Sequence, residues 1–310
     1  MDDFNFIENE DCEGNSIVVI KDSPNIKTLV LSGGGPFLMY AFGVLRESHK
    51  SNYWNMSNIT SLYGTSAGAI LAVALSLHIE MDVIENYIIK RPWQNVFKLN
   101  INNILNSFHN CGILDISAME ELFNPLFKCK DLSPDISLLE LYEYNHIDLH
   151  MYSVELESFE LVDFSHSTHP DWRVVDALYA SSCLPILFIP FKKDGKMYCD
   201  GGLLCNYPLE QCIAKCPNTS EIFGINYDVD ETSVSDNYTL LDYFVKMILK
   251  MNTYTRLYKN FKTTISLENE IFVKLNSISF YELYLVISDC NARKKLIEDG
   301  ASKWIEHNSL

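Results

Sequence analysis

Residues 64 to 68, Gly64-Thr65-Ser66-Ala67-Gly68, restrict the fold more than any other stretch of this chain. They lie between a short apolar, β-like run, Ile59 to Tyr63, and a long apolar run, Ala69 to Ile79. A serine held at a sharp strand-to-helix corner tolerates only small residues two positions to either side, because larger ones collide across the turn. The pentapeptide in this setting predicts a nucleophile elbow, with the Ser66 hydroxyl exposed and a helix starting at the serine. The unpaired amides of such a helix start favour negative charge developing nearby.

A second strand-loop-helix unit precedes it. Lys27 to Ser32 reads as a buried strand, Gly33-Gly34-Gly35 as a loop, and Phe37 to Glu47 as an amphipathic helix. Two such units in succession imply parallel strands joined by a crossover, and therefore an α/β fold. Residues 81 to 145 read as mostly helical, with caps or breaks at Pro92, Gly112, Pro125 and Pro134. Ile147 to Glu155 and Phe159 to Phe164 read as paired strands, Asp171 to Ser181 as a helix, and Lys196 to Cys199 as a strand running into Asp200-Gly201-Gly202. A helix over Leu209 to Ala214 and a strand over Glu221 to Tyr227 follow, and the sheet is expected to end there. Beyond it, Tyr238 to Tyr258 and Ser288 to His307 are helical in pattern, with a short strand candidate at Ile271 to Leu275.

Acyl transfer needs a nucleophile, a base, and donors aimed at the developing oxyanion. Gly33, Gly34 and Gly35 suit the last role, since backbone amides free of side chains can approach a ligand closely. A dinucleotide loop is the rival reading, but its third glycine would fall on Leu38, and no Lys-Ser/Thr pair follows as a P-loop requires. For the base, an α/β-hydrolase order would call on His146, His150, His166, His169 or His307. Only one strand precedes the strand leading to Ser66, which argues against that fold. Asp200 is the better base, because Gly201 and Gly202 let the backbone turn and leave the carboxylate pointing into a site.

Charge and composition narrow the partners. With 24 basic and 41 acidic side chains the formal charge is −17, which repels nucleic-acid phosphates and, at long range, anionic membranes. The start, Met1-Asp2-Asp3-Phe4, lacks the pattern of a secretory signal, and the run from Ala67 to Leu77 is too short for a bilayer. A cytoplasmic protein with peripheral membrane association is expected. Nine scattered cysteines read as reduced thiols; Cys199, Cys205, Cys212 and Cys216 lack zinc-knuckle spacing. The pairs His146/His150 and His166/His169 sit in or beside strand-like runs and do not read as a metal site, and the sequons at Asn58 and Asn218 carry little weight without a secretion signal. Arg293, Lys294 and Lys295 form a basic cluster that reads as a solvated helix face or a contact for anionic lipid.

Taken together, the glycine loop after the first strand, the Gly-x-Ser-x-Gly elbow after the second and the distant Asp200-Gly201-Gly202 resemble the patatin-like phospholipase family. Ala180-Ser181-Ser182-Cys183-Leu184-Pro185 and Asn206-Tyr207-Pro208 extend the likeness, which covers residues 27 to 228. The resemblance implies a three-layer α/β/α sandwich with a mainly parallel central sheet and a helical C-terminal addition. Composition and element pattern divide the chain into an acidic extension (1–25), a domain that the resemblance makes catalytic (26–230) and a mainly helical region packed on the core (231–310). The resemblance implies a Ser66-Asp200 dyad without histidine, the Gly33 to Gly35 backbone as oxyanion hole, no metal or cofactor, membrane or micellar lipid as substrate, and room for a protein activator as a further partner. Most members carry Arg or Lys followed by Gly where this chain has Phe37 and Leu38. That loss of a cation weakens the case for a phospholipid relative to a neutral glyceride, and makes Phe37 and Leu38 candidates to line an acyl channel.

Overall fold

A computed structural model of the chain describes residues 6–10, 16–20, 24–98, 101–229, 267–275 and 280–309, and scattered positions of a helix between 239 and 251. The strands are β1 (Phe6–Glu10), β2 (Ser16–Ile20), β3 (Thr28–Leu31), β4 (Ser61–Thr65), β5 (Gly112–Leu114) and β6 (Asp148–Glu155). They continue with β7 (Glu160–Phe164), β8 (Ile186–Phe188), β9 (Phe191–Lys193), β10 (Lys196–Asp200), β11 (Ile222–Val229) and β12 (Glu270–Leu275). The helices are α1 (Phe37–Lys50), α2 (Ala67–Ser76), α3 (Met81–Lys90), α4 (Ile101–Asn110) and α5 (Ser117–Cys129). After them come α6 (Leu138–Asn145), α7 (Val174–Ser182), α8 (Leu209–Lys215), α9 (Phe280–Ser288) and α10 (Cys290–Asn308).

The central sheet runs β12-β11-β3-β4-β6-β10-β9, with β7 also on β6. The pairings from β12 to β6 are parallel, whereas β7, β9 and β10 are antiparallel additions. Alternation along the strands divides the interior in two. Leu29, Leu31, Leu62, Leu149 and Met151 point into the larger core, whereas Val30, Tyr63 and Tyr152 point to the other face, where Leu209 and Cys212 of α8 cover them. Each wholly buried leucine of this kind contributes roughly 1.5–3 kcal/mol. The fold is thus the layered, mostly parallel α/β arrangement that the two strand-loop-helix units imply.

Several local expectations need correction. The sheet does not end at β11: β12 adds a parallel strand beyond it, Ile225 opposite Ile271. Pro125 does not break α5. Proline lacks the N–H that would bond the carbonyl four residues back, and here that carbonyl, of Glu121, accepts the Arg91 Nη2 donor at 2.7 Å instead. The helical region 81–145 also contains β5, which pairs with β8. The helix expected over Ser288 to His307 is α10, capped by Asp289, whose carboxylate accepts the Asn291 amide, and a further helix that was not expected, α9, precedes it. Of the helix expected over 238–258, the part after 251 lies outside the described residues, as does much of the acidic segment 1–25; its described parts pair as a β1-β2 hairpin.

α10 reaches back to the first helix of the fold. A Cβ on Gly43 would lie 1.9 Å from the Ile297 carbonyl oxygen and one on Gly300 would lie 2.0 Å from that of Tyr40, so α1 and α10 touch backbone to backbone. Trp304 of α10, 2% exposed, packs beside Tyr53 and Phe223 and donates its indole N–H to Ser51.

Candidate active site

The sheet register itself brings Ser66 and Asp200 together. β7 occupies one edge of β6 over Met151–Glu155, so β4 and β10 must share the other. β4 pairs there up to Thr65 opposite Tyr152, and β10, running the opposite way, ends with Asp200 opposite Ser153. The carboxyl ends of the two strands therefore meet head to head. Across the junction the Ser66 hydroxyl donates to Asp200 Oδ2 at 2.6 Å, and the Gly202 amide donates to Oδ1 at 2.7 Å, which fixes the carboxylate's orientation.

Ser66 has φ 53° and ψ −121°, a backbone conformation costing on the order of 1–3 kcal/mol that only a well-braced turn can hold. The bracing is visible. A Cβ on Gly64 would meet the Gly68 carbonyl at 2.6 Å and one on Gly68 would meet that of Leu31 at 2.2 Å, so both flanking glycines are needed for the turn to close against β3. The Ser66 amide donates to Ser181 Oγ at 3.0 Å, and Ser181 in turn donates to the Tyr152 carbonyl at 2.6 Å. Ser153 ties the same region from below, donating to the carbonyls of Ala180 and Cys199. Ser153 and Ser181 were not singled out by the sequence; the only available signal was the Ala180-Ser181-Ser182 run.

Asp200 is 3% exposed. Burial pushes its carboxyl up from 3.8 to about 6, against the lowering effect of the hydrogen bonds from Ser66 and Gly202. A carboxylate so raised accepts a proton far more readily than an exposed aspartate.

The glycine loop divides into two parts. The Gly33 amide is committed, donating to the Asn206 carbonyl at 2.9 Å, so Gly33 does not present a free donor. Gly34 (φ 155°) and Gly35 (φ 52°) carry amides with no acceptor among the described residues. Asn206 also donates its side-chain amide to the Gly33 carbonyl at 3.3 Å and to the Tyr227 hydroxyl at 3.4 Å. The Tyr227 ring lies against Gly34. The loop that follows Asp200 thereby holds the loop that follows β3.

Ser66, Asp200, Gly34 and Gly35 all border one cavity of about 240 Å³ with an otherwise largely apolar lining that includes Leu38, Ile70, Phe123 and Leu187. Of the two expected channel residues only Leu38 borders it. Phe37 is buried with its ring 4.5 Å from Tyr227, because the first turn of α1 carries it inward behind the glycine loop. None of His146, His150, His166, His169 and His307 borders the cavity. His150 is instead buried between Asp163 and Asp148, at 2.8 and 3.0 Å. Arg293 is no surface cation either: 3% exposed, it donates to the carbonyls of Val286, Ile287, Ile89 and Arg91, pinning the ends of α9 and α3. Its neighbours Lys294 and Lys295 are exposed as a solvated face requires.

Among the described residues no cluster of three or more His, Cys, Asp or Glu is placed to hold a metal, and no helix is long and apolar enough to cross a membrane. The cysteines described, Cys199, Cys205, Cys212 and Cys216 among them, are free thiols.

The comparisons with known proteins converge. Over 97% of its length the chain superposes on 69% of VipD from Legionella pneumophila, with a TM-score of 0.58 at 14% sequence identity, a likeness of fold. It is 24% identical over 281 residues to an uncharacterized protein, R571, of Acanthamoeba polyphaga mimivirus, covering 89% of this chain and 91% of that one. It is 27% identical over 191 residues to the probable lipid hydrolase 463L of Invertebrate iridescent virus 6; that match takes in 60% of this chain and 63% of the relative, less than two thirds of its length. Residues 29–213, from β3 through the glycine loop, the elbow and Asp200 to α8, match the family described as patatin-like phospholipase. With its elbow, its glycine loop and its Asp-Gly-Gly turn converging on one apolar cavity, the chain belongs to the patatin-like phospholipase family.

Proposed function

We propose that this protein is a lipid acyl hydrolase that cleaves carboxylic esters of phospholipids, as a phospholipase A or lysophospholipase, through an acyl-Ser66 intermediate. The observation that carries the reading is the 2.6 Å hydrogen bond from Ser66 to a buried Asp200 at the border of an apolar cavity. In this reading Asp200 takes the hydroxyl proton as Ser66 Oγ attacks the ester carbonyl carbon. The tetrahedral oxyanion receives hydrogen bonds from the unengaged amides of Gly34 and Gly35, at the entrance to α1 and near the start of α2. Collapse expels the alcohol, which takes the proton back from Asp200. Water, deprotonated by the same carboxylate, then attacks the acyl-serine, and collapse of that adduct releases the fatty acid as Asp200 returns the proton to the departing Ser66 Oγ. The chemistry calls for no metal.

The cavity supports an acyl chain as the part of the substrate that is enclosed. At about 240 Å³ it falls just below the roughly 300–1,000 Å³ of sites that enclose a drug-sized ligand, which suits one chain better than two. A neutral glyceride lipase of the same mechanism is the second reading. It is favoured by Phe37 and Leu38, which leave the glycine loop without a cation for a phosphate.

The test is hydrolysis of a short-chain chromogenic ester, phosphatidylcholine and lysophosphatidylcholine micelles, and emulsified glyceride by wild type, Ser66→Ala and Asp200→Asn. Loss of activity in both variants supports the dyad, and the lipid cleaved fastest decides between the two substrates. A wild type inactive on all of them overturns the enzymatic reading in favour of a lipid-binding or partner-regulated protein.

A further inference from the structure

One wall of the cavity is a single helix thick. From α9, Leu283, Val286 and Ile287 border the cavity, three and four residues apart as one helical face requires. Tyr281 and Tyr284, also three apart, stand in solvent, 67% and 52% exposed. The same nine residues thus separate the cavity that holds Ser66 and Asp200 from the surroundings. Glu282 is the one charged residue in the sequence of α9, in a chain where 21% of residues are charged.

We propose that α9 is the surface by which the protein lies against a lipid layer of no net charge, with Tyr281 and Tyr284 at headgroup level. The proposal rests on the acyl-hydrolase reading above and names where its substrate arrives. A tyrosine ring with its hydroxyl suits the boundary between hydrocarbon and water, where one end is apolar and the other wet. Continuity with the cavity selects this face: the helix that carries Tyr281 and Tyr284 outward is the one whose Leu283, Val286 and Ile287 border the cavity. Charge selects the lipid. A formal −17 repels an anionic leaflet, and α9 supplies no cation to offset it.

The experiment uses full-length protein carrying Ser66→Ala, so that lipid is not consumed, and phosphatidylcholine vesicles at physiological salt. Flotation is expected to show binding, and adding Tyr281→Ser with Tyr284→Ser is expected to lower the partition coefficient by about tenfold. With Ser66 intact, the double tyrosine variant is expected to hydrolyse a soluble short-chain ester at the wild-type rate. In a separate protein, Tyr284→Trp is expected to gain fluorescence that brominated phosphatidylcholine quenches beyond the wild-type level. Equal vesicle binding with and without the tyrosines overturns the proposal, as does absence of added quenching, or binding confined to anionic vesicles. A lipid-free dimer that the double variant abolishes also overturns it, by assigning the face to a second copy. Ester hydrolysis with tyrosine-independent vesicle binding sinks the docking surface alone; tyrosine-dependent binding by a protein that hydrolyses no ester sinks the enzymatic reading alone.

Discussion

Asn206 holds Gly33 at two points. Its carbonyl accepts the Gly33 amide at 2.9 Å and its side-chain amide donates to the Gly33 carbonyl at 3.3 Å, so the turn after Asp200 and the loop after β3 move as one piece. If Gly34 and Gly35 stabilise the oxyanion, their aim depends on this brace. Asn206→Ala is expected to lower kcat by tenfold to a hundredfold, on the order of the cost of a misaimed donor, with KM little changed. Steady-state kinetics on a soluble ester, alongside a melting curve, separate lost aim from lost folding.

The raised Asp200 carboxyl sets a pH profile. In its proposed role as base Asp200 must be ionised, so kcat/KM is expected to rise with pH through an inflection near 6 and then level off. Stability runs the other way. Between the ordinary value of 3.8 and about 6 the folded state holds a proton that the unfolded state has lost, so this group's contribution falls as pH rises through that window. Asp200→Asn is expected to abolish that slope, and Ser66→Ala to raise the carboxyl further by removing a hydrogen bond that lowers it. Carboxyl carbon NMR titration of wild type and Ser66→Ala checks the second point.

His150 is also raised, but with the balance of causes reversed. Burial alone would lower its value, but the hydrogen bonds and charges of Asp148 and Asp163 together outweigh burial and hold the imidazolium above its usual range. Lys215, 3.0 Å from Asp163, and the Tyr63 ring stacked on the imidazole complete its surroundings, with His166 near Asp148. The contribution is fully present below the ordinary value of about 6.5 and is lost as pH rises through the raised one. His150→Gln is expected to flatten the decline in melting temperature from neutral to alkaline pH, read by scanning calorimetry.

Arg293 donates to four carbonyls at the ends of α9 and α3 and forms no ion pair among the described residues. Arg293→Met keeps the stem but strands those carbonyls, and is expected to cost about 2–4 kcal/mol in urea unfolding. Lys294→Met, on an exposed neighbour, is expected to stay within about 0.5 kcal/mol of wild type.

The backbone contact between α1 and α10 leaves no room at Gly300, where a methyl would sit 2.0 Å from the Tyr40 carbonyl oxygen. Gly300→Ala is expected to cost about 1–3 kcal/mol despite its better helix propensity, with thermal unfolding as the readout.

What the sequence disclosed and what it withheld follow from how each feature is encoded. Ser66 and its flanking glycines are legible because steric need and chemistry fall within five consecutive residues. Asp200 is legible only in company: an Asp-Gly pair alone is commonly a plain turn, and the glycine loop and the elbow upstream are what single it out. Asn206, Ser153 and Ser181 act only through partners brought close by the sheet register, so nothing local marks them. Arg293 misleads because a charge in a basic run looks solvated until two helix ends are brought to it. β12 was visible as a strand in Ile271 to Leu275, but its place at the sheet edge depends on a crossover from β11 that composition does not specify. Phe37 and Leu38 are adjacent and equally apolar, and only the helical phase of α1 sends one inward and the other to the cavity.

On the proposed mechanism, the head-to-head meeting of β4 and β10 on β6 makes catalysis a reporter of assembly. Ser66 and Asp200 are 134 positions apart in the chain, and neither has its partner until β10 has found its correct place beside Ser153. A one-residue slip of β10 would turn Asp200 to the opposite face of the sheet. Turnover per molecule then counts correctly registered sheets, since a chain with a slipped β10 keeps its helices but not the Ser66-Asp200 pair.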